Sequence, residues 1–152
     1  MKKIKYILII FILLLTACKK NNVTHEEFVD VAKFNGYIIQ ETMDGYEDYP
    51  NITNIYYAVN RDYAYDIQFL KTDSVDYAKK FFLLNVSEIK KEIDSESYVK
   101  SNSLTKYEFY HAENESTYYL VIRSDTNIIY ISAPINYINE IEEFLEELDI
   151  DF

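Results

Sequence analysis

Tyr118-Tyr119-Leu120-Val121-Ile122 places five apolar residues in a row, entered from Thr117 and left at Arg123. Successive side chains of a strand point to opposite faces, so such a run is apolar on both sides. It predicts a central strand, with a helix over one face and a second apolar layer over the other. Asp125-Thr126-Asn127 follows as a turn signal, because Asp and Asn side chains bond back to their own backbone. Ile128 to Ala133 then returns as a β-rich run, and Lys106 to His111 precedes the pair as another.

Further upstream, Asn54 to Val59 and Tyr63 to Leu70 read as two strands joined by a hairpin at Asn60-Arg61-Asp62. In the second, Tyr63, Tyr65, Ile67 and Phe69 alternate with Ala64, Asp66 and Gln68, the period of a strand with one packed and one wetter face. Between the two groups, Ala78, Phe82, Val86, Ile89 and Ile93 recur at helical spacing, with Phe81 and Leu84 broadening the stripe. Thr72, Asp73 and Ser74 supply caps for this longest helix. Asp94 to Leu104 is polar and weakly patterned, and reads as a surface loop.

An earlier helix is signalled by its start. Thr24 with Glu27 makes a capping box, and Val23 with Phe28 a hydrophobic staple. Gly36 marks its stop, and Tyr37 to Glu41 reads as a short strand. After Pro134 a last helix begins near Asn136, with Ile138, Ile141, Leu145 and Leu148 on its buried stripe and Phe144 beside them. Its remaining surface carries Glu140, Glu142, Glu143, Glu146 and Glu147, a solvated acidic face whose alternative is a docking surface for a basic partner. The elements run α-βββ-α-βββ-α: an α+β fold, an antiparallel sheet of about six strands with helices packed on it.

The chain has 152 residues and a net charge of −11, from 15 basic and 26 acidic residues. So acidic a chain argues against a nucleic-acid partner, because phosphate contacts need Lys and Arg. Its start is different in kind. Lys2, Lys3 and Lys5 precede an unbroken apolar run from Ile7 to Leu15, closed by Thr16-Ala17-Cys18. A basic start, a short apolar core and small residues before a cut have the form of a secretory signal. The apolar stretch is short for a spanning helix, which needs about 20 residues.

Leu15-Thr16-Ala17-Cys18 resembles the lipobox of bacterial lipoproteins. The resemblance implies a diacylglyceryl group on the Cys18 sulfur and cleavage before it. Residues 1–17 are then a signal peptide, 18–23 the lipidated cysteine and a short tether, and 24–152 a single α+β domain. Loss of the three leader lysines would take the net charge from −11 to −14. The expected address is the extracytoplasmic face of the cell membrane, with the membrane as partner through the lipid on Cys18. Five residues, Lys19 to Val23, reach at most about 17 Å, so the domain sits close to the bilayer. The layout of the remainder is similar to that of small lipoproteins of Gram-positive bacteria, a likeness that carries over no functional residue.

Cys18 is the single cysteine, which leaves no thiol for disulfides, metal or catalysis once lipidated. His25 and His111 read as surface or strand-end residues with no nucleophile beside them. The acids Asp44, Glu47 and Asp48 fall in one loop without the spacing of a calcium loop, so no metal and no cofactor is expected. With two glycines there is no phosphate-cradling loop. The compositional oddity is 16 tyrosines with no tryptophan. Tyr56-Tyr57 and Tyr118-Tyr119 put one ring of each pair on each face, and Tyr56, Tyr110 and Tyr118 are candidates for an exposed row that binds a sugar or a peptide. No catalytic motif is present, so the chain reads as a binding or interaction module of the cell envelope with an envelope protein or glycan as partner. The alternatives are a carboxylate-dependent enzyme acting on envelope material and a structural accessory lipoprotein.

Overall fold

A computed structural model describes residues 22–93, the backbone of 98–103, and residues 107–150. The leader, Cys18 and the first residues after it lie outside this range. The elements are α1 (His25–Phe34), β1 (Ile38–Glu41), β2 (Ile52–Val59), β3 (Asp66–Thr72), α2 (Val75–Glu92), β4 (Tyr98–Ser103), β5 (Tyr107–Glu113), β6 (Thr117–Ser124), β7 (Asn127–Pro134), a 3-10 turn (Ile135–Tyr137) and α3 (Ile138–Glu147). The fold is α+β. Every strand pairing is antiparallel, in the order β1-β2-β3-β7-β6-β5-β4. Strand β4 falls inside the stretch read as a loop. It is polar because it is an edge strand: its ladder with β5 is made by the backbone, and an edge tolerates polar side chains.

Central position and double-sided burial coincide on β6, where every residue from Tyr118 to Ser124 is buried. One face carries Phe28 and Ala32 of α1 and Ile141, Phe144 and Leu145 of α3, packed with Tyr118, Leu120 and Ile122. The other carries Ala78, Phe81, Phe82, Val86 and Ile89 of α2, packed with Tyr119 and Val121. Helices therefore lie on both faces of the sheet. Phe28 and Ile141 are wholly buried, each worth about 1.5–3 kcal/mol of transfer free energy.

The helix ends follow the sequence signals. Thr24 Oγ1 accepts from the Glu27 amide at 3.3 Å and Glu27 Oε2 accepts from the Thr24 amide at 3.0 Å. Ser74 caps α2 by accepting from the Tyr77 amide. Leu84 is a correction: with Leu83 it faces solvent, 45% and 53% exposed, because the stripe that packs on the sheet runs through Ala78, Phe82, Val86 and Ile89.

The chain enters at the β6–β7 turn. Asn127 Nδ2 donates to the Val23 carbonyl at 2.9 Å and to Asn22 Oδ1 at 3.3 Å. Thr72, at the end of β3, donates its amide to the Thr126 carbonyl at this same end. The β2–β3 turn, Asn60 to Tyr65, is therefore at the opposite end, a strand length of about 20 Å away.

One buried polar pair was not legible in the sequence. Arg123 on β6 and Glu108 on β5 stand directly opposite; Nε donates to Oε2 at 2.6 Å, with 1% and 5% of the side chains exposed. Arg123 Nη1 also donates to the Asp125 carbonyl at 3.3 Å, which ties the pair to the turn, where Asp125 has φ +57°. Removing one partner of a buried pair costs about 3–5 kcal/mol, whereas replacing both with apolar residues is often neutral. Glu108→Leu is therefore expected to lose about 3–5 kcal/mol in urea unfolding, and Glu108→Leu with Arg123→Met to recover most of it. A Glu108→Leu midpoint equal to wild type would contradict the assignment.

Candidate functional site

At the end remote from Asn22, three short segments meet around a cleft of about 280 Å³, lined by Asn35, Gly36, Tyr37, Asn60, Arg61, Asp62 and Glu140. Each is held there by local structure. Gly36 ends α1 with φ +78°, a left-handed conformation that a side chain disfavours, and its amide donates to the Lys33 carbonyl at 3.0 Å. The Gly36 carbonyl accepts from Arg61 Nε at 3.0 Å. A Cβ at position 36 would lie 2.0 Å from Arg61 Nη2, so glycine also gives the guanidinium room against the backbone.

Asn60 builds the turn opposite. Its Oδ1 accepts from the amides of Ala64 at 2.8 Å and Tyr65 at 3.3 Å. The residue is 3% exposed and forms part of the cleft wall. Within the same turn Tyr63 has φ +56°, a strained state for a bulky residue, and its ring is 71% exposed. Phe34, at the end of α1, is 84% exposed. Two bare rings thus stand at the polar end of the molecule.

Beneath the cleft runs a chain of hydroxyls. Tyr65 donates to Glu140 Oε1 at 2.8 Å, and the Tyr37 and Tyr65 hydroxyls are 2.6 Å apart. A phenol has one proton to give, so with Tyr65 committed to the carboxylate, Tyr37 donates to Tyr65. Burial pushes both phenols well above the usual tyrosine range, and the neighbouring Glu140 raises them further. They are neutral donors at physiological pH. Tyr65 packs against Tyr137 at 5.1 Å between centroids, and Tyr37 against Phe144 at 5.3 Å. Aromatic packing thus fixes the hydroxyls, and the hydroxyls fix the carboxylate. The wall offers donors at Asn60 and Arg61 and acceptors at Asp62 and Glu140, a set suited to a polar ligand that both accepts and donates hydrogen bonds.

The tyrosines singled out in the sequence do not form the expected row. Tyr118 is fully buried and its hydroxyl has no protein partner; Tyr110 is 5% exposed, with Lys90 Nζ 5.4 Å from its ring centroid. Tyr56 is half-buried and stacked on His25 at 5.4 Å. Tyr56 and Tyr118 belong to the α1–α3 face and Tyr110 to the α2 face. The alternation of faces within Tyr56-Tyr57 and Tyr118-Tyr119 is as expected, but a helix covers each side of β6. His111 is likewise buried rather than at the surface, its ring 4.9 Å from that of Tyr118. Asp44, Glu47 and Asp48 are exposed, and among the described residues no three His, Cys, Asp or Glu side chains are grouped to hold a metal. No helix among them is long and apolar enough to cross a membrane. Cys18 lies outside the described residues. The one local signal for the cleft was Asn35-Gly36 beside Asn60-Arg61-Asp62; Glu140 gave none. Comparison with family models, curated proteins and solved structures finds no match.

The buried phenols set a pH dependence. Burial pushes Tyr46 and Tyr107 up to about 12, whereas an unfolded chain releases these protons near 10. Between those values the unfolded state binds fewer protons, so stability falls as pH rises. Stability is expected to be unaffected by these groups below about pH 10 and to drop between about pH 10 and 12. Absorbance at 295 nm should show a late step that coincides with loss of circular dichroism; titration of all 16 tyrosines with the fold intact would contradict it.

Proposed function

We propose that this chain is an extracytoplasmic lipoprotein, anchored to the cell membrane by lipid on Cys18, that acts as a binding module of the cell envelope through the cleft between Gly36, Arg61 and Glu140. The lipobox Leu15-Thr16-Ala17-Cys18 supports the anchor. The observation that carries the binding reading is the convergence of Asn60, Arg61, Asp62 and Glu140 on one cleft, with Asn60 oriented by two backbone donors.

Placement supports the same reading. Asn22 and Val23 are held at the β6–β7 turn, and chain length alone puts Cys18 within about 14 Å of Asn22. That end is held nearest the bilayer, and the cleft opens at the other end, away from the anchor. The ligand class is a hydroxyl- and amide-rich envelope glycan: Arg61, Asn60, Asp62 and Glu140 supply its hydrogen bonds, and the bare rings of Phe34 and Tyr63 supply apolar faces for sugar stacking. A second reading, a carboxylate-dependent enzyme, draws on Asp62 and Glu140 sharing one cleft. It requires new reducing ends from a glycan substrate.

In cells, a Cys18→Ser chain is expected to take up no fatty-acid probe; labelling that persists would remove the anchor. Purified chain is expected to sediment with isolated Gram-positive cell walls, and Arg61→Ala with Glu140→Gln to lower the bound fraction at least tenfold at unchanged melting temperature. Equal retention would contradict the role of the cleft, and release of reducing ends would favour the second reading.

A further inference from the structure

The helices on the two faces of the sheet differ in charge. Helix α3 has five glutamates and no basic residue, and α1 has three acids against Lys33. Helix α2 has four lysines against three acids, in a chain whose net charge is −11. The asymmetry sharpens on its outward stripe. At 100° per residue, Asp76, Lys79, Lys80, Leu83, Leu84, Ser87, Lys90 and Lys91 share one side, and all of them are exposed. Glu92 turns instead to the sheet, where its Oε2 accepts from the Tyr119 hydroxyl at 2.9 Å. Glu88 lies at the rim and pairs with Lys91 at 2.6 Å. Lys90 reaches over the Tyr110 ring, its Nζ 5.4 Å from the centroid, so what remains outward is Lys79 and Lys80, with Asp76 at the start of the helix, around two bare leucines, Leu83 and Leu84, 53% and 45% exposed.

We infer that the outward face of α2 is a membrane-docking surface that lays the domain on an anionic bilayer. Lysines flanking leucines are the composition of an interfacial helix face. A negative bilayer draws each lysine with about 1 kcal/mol, or about fivefold in partition. Geometry agrees. Helix α2 starts beside the β6–β7 turn, since Thr72 is bonded to Thr126 and precedes the cap Ser74. The tether leaves from that same turn. Leu84 is nine residues into the helix, about 14 Å along it, so tilting the domain about its tether brings both leucines to the headgroups. The glutamates of α1 and α3 then face away from like charge. The cleft, built on the α1–α3 side by Gly36 and Glu140, stays open to the outside. The inference rests on the membrane placement proposed above, but its test does not depend on lipidation in the cell.

The chain from Cys18 onward is coupled through Cys18 to a maleimide lipid in vesicles, either neutral phosphatidylcholine or the same with 30% phosphatidylglycerol. The sequence has no tryptophan, so Leu84→Trp and Glu142→Trp are single reporters on opposite layers. On anionic vesicles Leu84→Trp is expected to shift to the blue and to be quenched by brominated lipid, and Glu142→Trp to remain solvent-like. For uncoupled Cys18→Ser chain, Lys79→Ala with Lys80→Ala should lower partition to anionic vesicles about 25-fold, the product of two fivefold losses, and Lys33→Ala should leave it unchanged. Equal quenching of both reporters, equal partition to neutral vesicles, or equal loss with Lys33→Ala would overturn the inference. So would dimerisation in the absence of vesicles that Leu83→Ser with Leu84→Ser abolishes, since it would assign the leucines to a second copy. Failure here leaves wall retention through the cleft intact, and the two readings fail separately.

Discussion

Burial of β6 on both faces is the constraint from which the other features follow. A strand that is apolar on both sides has to be covered twice, and three helices divide two to one to do it. Helices α1 and α3 share the face of Tyr118, Leu120 and Ile122, while α2 alone covers Tyr119 and Val121. A sheet with one wet face would have left the helices together and their charges mixed. Separation by the sheet instead gives one strongly acidic layer and one layer whose outer stripe is basic and apolar. Direction in the molecule is a consequence of core packing.

The same packing explains the cleft. Pairing α1 and α3 on one face brings the end of α1, Gly36, within reach of Glu140, and the β2–β3 turn closes the third side. Aromatic rings fill the floor, and their hydroxyls are handed from Tyr37 to Tyr65 to Glu140. Burial keeps those phenols neutral, so the chain of hydroxyls orients a carboxylate without adding charge. The left-handed Tyr63, with φ +56°, lies in the turn that closes this cleft.

Local chemistry was legible and tertiary assembly was not. Thr24 and Glu27, Gly36 and Ser74 named helix ends because capping is decided within four residues. The Tyr118–Ile122 run predicted a doubly covered strand because period two is a local property. Strand β4 was missed because an edge strand is held by backbone bonds, which leave no mark on a polar sequence such as Tyr98–Ser103. Leu84 was assigned to the core because with Phe81 it widens the helical apolar stripe; the packed stripe takes in Phe81 and leaves Leu84 45% exposed. The tyrosine row failed for a different reason: alternation tells which face a ring takes but not what covers that face. Glu140 was one of five equivalent glutamates on its helix until Tyr65, 75 positions away, selected it.

A domain tethered at the β6–β7 turn, lying on its α2 face, with a polar cleft directed outward, is the central claim. The most direct measurement is labelling of intact cells with a membrane-impermeant thiol reagent, comparing Tyr63→Cys with Leu84→Cys in a chain whose own cysteine is lipidated. The account predicts rapid labelling at position 63 at the cleft end, and labelling at position 84 only after detergent releases the bilayer. Equal labelling of the two positions in intact cells, or none at 63, would contradict it.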